Sequence, residues 1–241
     1  MKLVLMGYGK MGREIERIAL ERGHEIVLKV NRDNASSVTE KDLQAGEVII
    51  EFSTPHAVID NMNKCLRSGV PTVVGTTGWH NELKAVTTLW NNAGSGLFYA
   101  SNFSVGVNLF FKVNQFLAKL MNNYPQYEVS MTEIHHVHKL DKPSGTAITL
   151  ANQVIEQIDR KTKWSITEKS NDTLFIHDIR EGEVPGTHIL QYSSLVDDIE
   201  IMHKAHNRSG FALGAVMAAE FMKGKTGVYT MDDLIGELSL D

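Results

Sequence analysis

The first hundred residues alternate between two kinds of segment, and this alternation narrows the fold more than any other feature of the chain. Short, nearly all-apolar runs lie at residues 3–6, 26–30, 48–52, 72–74 and 97–100. Amphipathic stretches near residues 11–22, 56–68 and 82–92 separate them. Runs this short and this apolar suit parallel strands covered on both faces. Strand and helix in alternation then predict an α/β fold, a Rossmann-type doubly wound parallel sheet with right-handed crossovers.

The pattern changes after residue 100. Residues 102–123 read as a long helix and 127–135 as a strand. Residues 144–158 read as a helix opened by Ser144 after a proline, a good N-cap. Three strand-like runs follow at 174–179, 187–192 and 199–203. Turns such as Gly182-Glu183-Val184-Pro185-Gly186 join them, so they read as an antiparallel meander. This predicts a C-terminal α+β domain with an open mixed or antiparallel sheet. Residues 212–223 form a last helix of small apolar residues, placed to pack back on the first domain. With 241 residues the chain has room for one to two domains. The expected division is 1–103 with 209–241, a dinucleotide-binding domain, around 104–208, a substrate-binding and oligomerisation domain.

Composition excludes several classes. The chain is 42% hydrophobic and 22% charged, which is globular rather than disordered. Its net charge is −5 and it has no Lys/Arg-rich block, which argues against nucleic acid as a partner. No apolar run approaches membrane-spanning length, and the run near the N-terminus is too short for a signal sequence. Cys65 is the single cysteine, so no intrachain disulfide can form, as suits a reducing, cytoplasmic setting.

Gly7-Tyr8-Gly9-Lys10-Met11-Gly12 matches the G-x-G-x-x-G pattern of dinucleotide sites. The pattern alone is a weak signal; its position after a strand and before a helix strengthens it. Gly7 permits the tight turn, Gly9 lets the backbone approach a pyrophosphate, and Gly12 allows close packing. The free N–H groups at the helix start then hold the phosphates. An acidic residue is expected at the end of the second strand for NAD, but the chain there reads Asn31-Arg32. Asn31 removes repulsion against a 2′-phosphate and Arg32 can pair with it. NADPH is therefore the favoured cofactor, and Asp33 next door keeps NADH possible.

The segment from Glu133 to Ala147 (Glu-Ile-His-His-Val-His-Lys-Leu-Asp-Lys-Pro-Ser-Gly-Thr-Ala) is the richest in chemistry. It holds three of the ten histidines within four positions, at a strand-to-helix junction. Adjacent strand residues His135 and His136 point to opposite faces. That argues against a three-imidazole metal site, and no metal is expected. Histidines that only pack, or sit on the surface, are the second reading. An anionic-substrate site with acid–base chemistry is the third, and the one preferred here. Ser144, Gly145 and Thr146 offer hydroxyls and unpaired backbone N–H groups for a carboxylate. Lys139 supplies a cation, and a histidine can give a proton near neutral pH.

These residues resemble the 4-hydroxy-tetrahydrodipicolinate reductase (dihydrodipicolinate reductase) family. The paired histidines, lysine, aspartate and Pro-Ser-Gly-Thr-Ala appear without a gap. Gly75-Thr76-Thr77-Gly78 is similar to the family's loop beside the nicotinamide, and residues 102–108 to its Asn-Phe-Ser-Val-Gly-Val-Asn hinge. Residues 184–187 resemble its Val-Pro-Gly-Thr turn. The resemblance runs nearly the whole length of the chain, in order. It implies hydride delivery from NAD(P)H to C4 of an unsaturated pyridine-2,6-dicarboxylate in the diaminopimelate route to lysine. It implies His135 as general acid, Lys139 as catalytic and substrate-binding lysine, and His136, Ser144, Gly145 and Thr146 as dicarboxylate contacts. Cofactor contacts are implied at Gly7, Gly9, Lys10, Met11, Gly12, Asn31, Arg32, Phe52, Ser53, Gly75, Thr76, Thr77, Ser101, Asn102 and Phe103. A homotetramer and domain closure about residues 102–105 and 208–210 are also implied. His138 takes a supporting role. Arg208 is either a second substrate-side cation or a salt-bridge partner.

The chain departs from the family in two places. The stretch from residue 31 to 47 is about one helix short, with at most one turn at 39–45. Ser53-Thr54 also stands where many members have Thr-Arg or Thr-Pro. Two other functions share the glycine loop: a different two-domain NAD(P) oxidoreductase, and a non-catalytic NADPH sensor. Neither calls for His-His-x-His-Lys with Pro-Ser-Gly-Thr.

Overall fold

The computed structural model describes residues 1–207 and 209–238. The chain forms two compact units, Met1–Val105 with Ser209–Asp241, and Gly106–Arg208.

The first unit begins with β1 (Lys2–Met6), α1 (Lys10–Glu21), β2 (Glu25–Val30), α2 (Glu40–Leu43), β3 (Val48–Glu51), α3 (Val58–Ser68), β4 (Thr72–Val74), α4 (Leu83–Ala93) and β5 (Gly96–Tyr99). The second unit supplies α5 (Val105–Met121), β6 (Glu128–His135), α6 (Gly145–Gln157), β7 (Lys163–Ser165), β8 (Thr173–Arg180), β9 (Thr187–Ser193) and β10 (Asp198–Lys204). The chain then returns to the first with α7 (Ser209–Met222), β11 (Gly227–Tyr229) and α8 (Met231–Leu238).

In the first unit six strands pair in parallel in the order β11-β5-β4-β3-β1-β2. Side chains on a strand alternate between faces, and here each face has its own core. Leu3, Leu5, Val48 and Ile50 pack with Ile15 and Ile18 of α1 and Ala215 and Ala219 of α7. Val4, Met6, Ile49 and Val74 pack with Val58 and Met62 of α3 and Trp90 of α4. That double coating is why the strands read as unbroken apolar runs. α7 needs its small residues to lie this close: a Cβ on Gly214 would sit 1.7 Å from the Phe103 carbonyl oxygen. The single turn expected at 39–45 is α2, four residues long and closed by a Thr39–Asp42 capping box.

The second unit is a five-stranded sheet in the order β10-β9-β6-β8-β7. β9 runs antiparallel to both β6 and β10. β8 does not continue that meander, which corrects the reading of three consecutive antiparallel strands. It pairs in parallel with β6 and with β7. α6 carries the chain over the sheet to edge strand β7, which runs in the direction of β6, and β8 then fills the place between them in that same direction. Alternation in a sequence shows which face a residue takes but not which strand lies alongside.

β6 is thus central, and its buried face carries Val129, Met131, Glu133 and His135 in turn. The first two join Leu174, Ile176, Leu190 and Tyr192 under Ala147, Leu150, Ala151 and Val154 of α6. The same face becomes polar at Glu133, just where α6 begins.

Candidate active site

The loop from β1 to α1 carries Gly7, Tyr8 and Gly9 into a cleft of about 640 Å³. Asn31, Arg32 and Asp33 after β2 also line it, as do Phe52, Ser53 and Thr54 after β3. These are the carboxyl ends of parallel strands, where open α/β sheets bind ligands. The three glycines do different work. Gly7 has φ +101° and a Cβ there would lie 2.1 Å from the Phe52 carbonyl oxygen. A Cβ on Gly12 would lie 2.3 Å from the Gly7 carbonyl oxygen, whereas one on Gly9 would meet nothing within 4 Å. Gly7 and Gly12 therefore fold the loop, and Gly9 leaves its outer side open. α1 starts with no side-chain cap and no acidic residue in its first turn. Its leading N–H groups are free to hold an anion, so this chain's residues fit a dinucleotide.

A buried network supports the cleft from beneath. The Ser53 hydroxyl bonds the Glu51 carboxylate, and Asn61 Nδ2 donates to Glu51 Oε1 and Ser53 Oγ, each at 3.0 Å. The Ser53 N–H donates to Thr76 Oγ1 at 2.7 Å, tying the two loops together. Burial pushes the Glu51 carboxyl up, against hydrogen bonds from Ser53, Thr76 and Asn61. Gly75 makes room for Phe52, whose Cζ would lie 2.0 Å from a Cβ there.

Of the residues expected to hold cofactor, Gly7, Gly9, Asn31, Arg32, Phe52 and Ser53 line the cleft, and Gly12, Gly75 and Thr76 shape it. Lys10, Met11, Thr77, Ser101 and Asn102 are not among its lining. Phe103 is 2% exposed and its ring packs with Phe52 and Phe98, so its side chain belongs to the core. Asn31 Oδ1 accepts the backbone N–H groups of Asp33 and Asn34, which closes the turn and leaves Arg32 and Asp33 as the charged pair. Tyr8 was missed because it fills a free position of the motif. Its hydroxyl donates to Glu16, and Lys29 Nζ lies 5.0 Å over its ring.

The second cluster lies in the other unit. Glu133 is fully buried, and its Oε1 accepts the Ser144 N–H at 2.9 Å, with Arg180 at 3.8 Å. Its Oε2 lies 3.2 Å from His135 Nδ1 and 3.6 Å from His188 Nε2. His188 Nε2 also lies 3.2 Å from Ser144 Oγ, and the two imidazoles meet edge-on at 5.1 Å. Burial opposes the Glu133 charge. The surrounding His135, His188 and Ser144 groups outweigh burial and hold the carboxyl well below the ordinary carboxylate range. Burial pushes His188 down, with Glu133 opposing. Ser144 also caps α6, accepting the Ala147 N–H at 3.1 Å. Gly145 is open, with nothing within 4 Å of a Cβ, and Thr146 beside it is half-buried.

His135 is buried and His136 half-buried, with the His136 N–H donating to the Val184 carbonyl. Lys139 Nζ pairs with Asp141 at 2.8 Å. Arg180 donates to the Lys139 and Asp141 carbonyls and pairs with Asp178. His138 faces Glu183 at 3.3 Å with both side chains mostly exposed, a pair that contributes little. Arg208 lies outside the described residues. Glu133 and His188 were not singled out from the sequence. The step of two from Met131 was signal enough to put Glu133 on the face of His135, but nothing local tied His188 to either.

Two family models cover the chain: dihydrodipicolinate reductase, N-terminus, over residues 1–103, and dihydrodipicolinate reductase, C-terminus, over residues 106–235. A 4-hydroxy-tetrahydrodipicolinate reductase from Christiangramia forsetii is 46% identical over 240 residues, 99% of each chain. One from Neisseria gonorrhoeae is 32% identical over 92% of this chain and 84% of its own. Among solved structures, a dipicolinate-bound dihydrodipicolinate reductase from Paenisporosarcina sp. TG-14 superposes with a TM-score of 0.77 at 24% identity, covering 95% of this chain and 97% of that one. An amine dehydrogenase from Mycobacterium smegmatis shares the fold more distantly, with a TM-score of 0.55 at 11% identity, over 96% and 95% of the two chains. With both halves matched and a relative this similar end to end, the chain belongs to the dihydrodipicolinate reductase family.

Proposed function

We propose that this chain reduces 4-hydroxy-tetrahydrodipicolinate to tetrahydrodipicolinate with NAD(P)H, the reaction named for its family, in lysine biosynthesis through diaminopimelate. The observation that carries the reading is the polar end of the β6 face. There a buried imidazole stands beside a carboxylate and the open start of a helix. Water leaves the 4-hydroxy compound to give the unsaturated ring. A dinucleotide held at Gly7, Gly9 and the start of α1 would supply the hydride for C4. His135 gives the proton to the neighbouring ring carbon, which balances the added hydride. Lys139 exchanges Asp141 for a substrate carboxylate. His136 and the N–H groups and hydroxyls at Ser144, Gly145 and Thr146 hold the dicarboxylate.

NADPH is the preferred cofactor, because Arg32 is exposed at the cleft and no carboxylate stands at position 31. The assembly is a homotetramer. Leu195 and Val196 stand almost fully exposed at the β9–β10 turn, and Ile199 and Met202 are exposed on edge strand β10, a surface suited to another copy. Among the described residues no helix is long and apolar enough to cross a membrane. The buried, unpaired Cys65 fits a cytoplasmic setting.

The test follows loss of NADPH absorbance with aspartate semialdehyde, pyruvate and a dihydrodipicolinate synthase supplying substrate. Turnover is expected, and folded protein without turnover overturns the reading. His135→Gln should lower kcat by about 10²–10⁴-fold. Unchanged kcat in both His135→Gln and Lys139→Ala overturns the assignment of these residues while leaving the activity.

A further inference from the structure

We propose that Glu133 is a positioning residue for His135. Its buried carboxylate fixes the imidazole with a hydrogen on Nδ1 and turns Nε2 outward as the atom that gives the proton. The proposal rests on the reading of His135 as the acid.

Among the described residues, Glu133 Oε2 and His135 Nδ1 are both buried and neither makes a hydrogen bond. They face each other at 3.2 Å, with the ring turned off the line of a bond. A buried polar atom needs a partner, and a small ring rotation gives each of these the other. A carboxylate only accepts, so the hydrogen must sit on Nδ1.

The remaining contacts leave Glu133 little else to do. Its Oε1 is already engaged by the Ser144 N–H and Arg180. His188 Nε2, 3.6 Å from Oε2, is shared with the Ser144 hydroxyl. On the other side of the ring, Gly186 has no Cβ to crowd Nε2.

The charged and titratable groups around His135 come from every element packed there. Glu133 is on its own strand, and Arg180, its register partner on β8, is paired with Asp178. His188 lies on β9 with His203 of β10 in register behind it. Lys139 in the following loop is paired with Asp141. Lys142 also pairs with Asp178, and Arg180 lies 3.8 Å from Glu133 Oε1, so Oε2 is the carboxylate oxygen that faces Nδ1.

Glu133, His135 and His188 also place one ligand-type atom each within 4.8 Å, a spacing that a small cation would fit. Bound metal is therefore an outcome of the test.

The experiment is long-range ¹H–¹⁵N NMR of wild-type enzyme labelled at histidine, joined to pH–rate profiles. Neutral wild-type His135 is expected as the Nδ1–H tautomer. In Glu133→Gln, kcat should fall at least about tenfold, while KM for the substrate moves much less. The kcat profile against pH should depart from wild type, and Glu133→Asp should restore part of the loss. A neutral His135 carrying its hydrogen on Nε2, or a Glu133→Gln profile that overlies wild type, overturns the proposal. So does stoichiometric zinc in the purified enzyme whose removal shifts the His135 signals. If Glu133→Gln fails to fold, the wild-type tautomer still decides. If His135→Gln keeps full kcat, the acid reading fails, and the tautomer separately reports whether Glu133 holds the ring.

Discussion

A Cβ built on Gly186 stands 3.1 Å from His135 Nε2 and 3.4 Å from its Cδ2. The glycine has φ +153°, a conformation that side chains rarely adopt. It occupies the turn between β8 and β9, so the residue that clears space beside the imidazole is also the one that lets the chain reverse. Gly186→Ala should therefore act twice. Backbone strain should destabilise the fold by about 1 kcal/mol or more. Crowding at Nε2 should lower kcat at least about tenfold if proton transfer passes there. Thermal melts and steady-state kinetics separate the two effects. A variant that melts lower yet keeps wild-type kcat would show that Nε2 does not need this space.

The glycine loop makes a sharper contrast, because its residues look equivalent in the motif and differ in their surroundings. Gly9→Ala meets nothing within 4 Å and should leave the melting temperature near wild type. It should weaken NADPH binding, because the new methyl points to the open side of the loop. Gly12→Ala drives a methyl to within 2.3 Å of the Gly7 carbonyl and should lower both stability and binding. Differential scanning fluorimetry and NADPH fluorescence titration check the pair. Equal melting temperatures in the two variants would contradict this division of labour.

Much of this molecule was legible because its signals are local. The two-faced burial of β1 and β3 writes itself as runs such as Leu3 to Met6, and the Ser144 cap stands directly before α6. What could not be read depends on partners far along the chain. β8 looks the same whether it pairs with β6 or with β9. Phe103 sits in a motif segment, yet its burial is decided by Phe52 and Phe98. His188 lies 53 positions past His135, and only the register of β6 with β9 brings them together. Asn31 was read for its missing charge, whereas its side chain is spent on closing its own turn.

That last point concentrates cofactor choice on Arg32 and Asp33. Both are exposed and both line the cleft. A hydrogen bond to a charged group contributes about 1.5–3 kcal/mol, or roughly ten- to a hundredfold in affinity. Arg32→Ala should weaken NADPH by an amount in that range and leave NADH almost unchanged. The NADPH advantage should also shrink as salt rises, since the contact is exposed. Titration of both cofactors at two salt concentrations tests this. Equal losses for NADPH and NADH would mean that Arg32 does not read the 2′-phosphate.

Stability should fall in two stages as the protein is acidified. Burial lowers His188, with Glu133 partly opposing, and burial also lowers His203, aided by His188. A histidine with a folded value below its unfolded one, near 6.5, takes up protons more readily when unfolded. Stability is therefore present above about pH 6.5 and is lost as pH falls through the lower folded values. Glu133 follows the same rule from a lower start. Its folded value lies well below the ordinary 4.5, so its contribution is complete above that and lost on further acidification. Thermal melts from about pH 8 to pH 3 should show a decline beginning near pH 6.5 and a steeper one below about 4.5. His203→Gln should flatten part of the first stage and leave the second, because it removes one half-buried imidazole without touching the carboxylate. A melting temperature constant between pH 8 and pH 5 would mean that these histidines are as easily protonated in the folded chain as in the unfolded one.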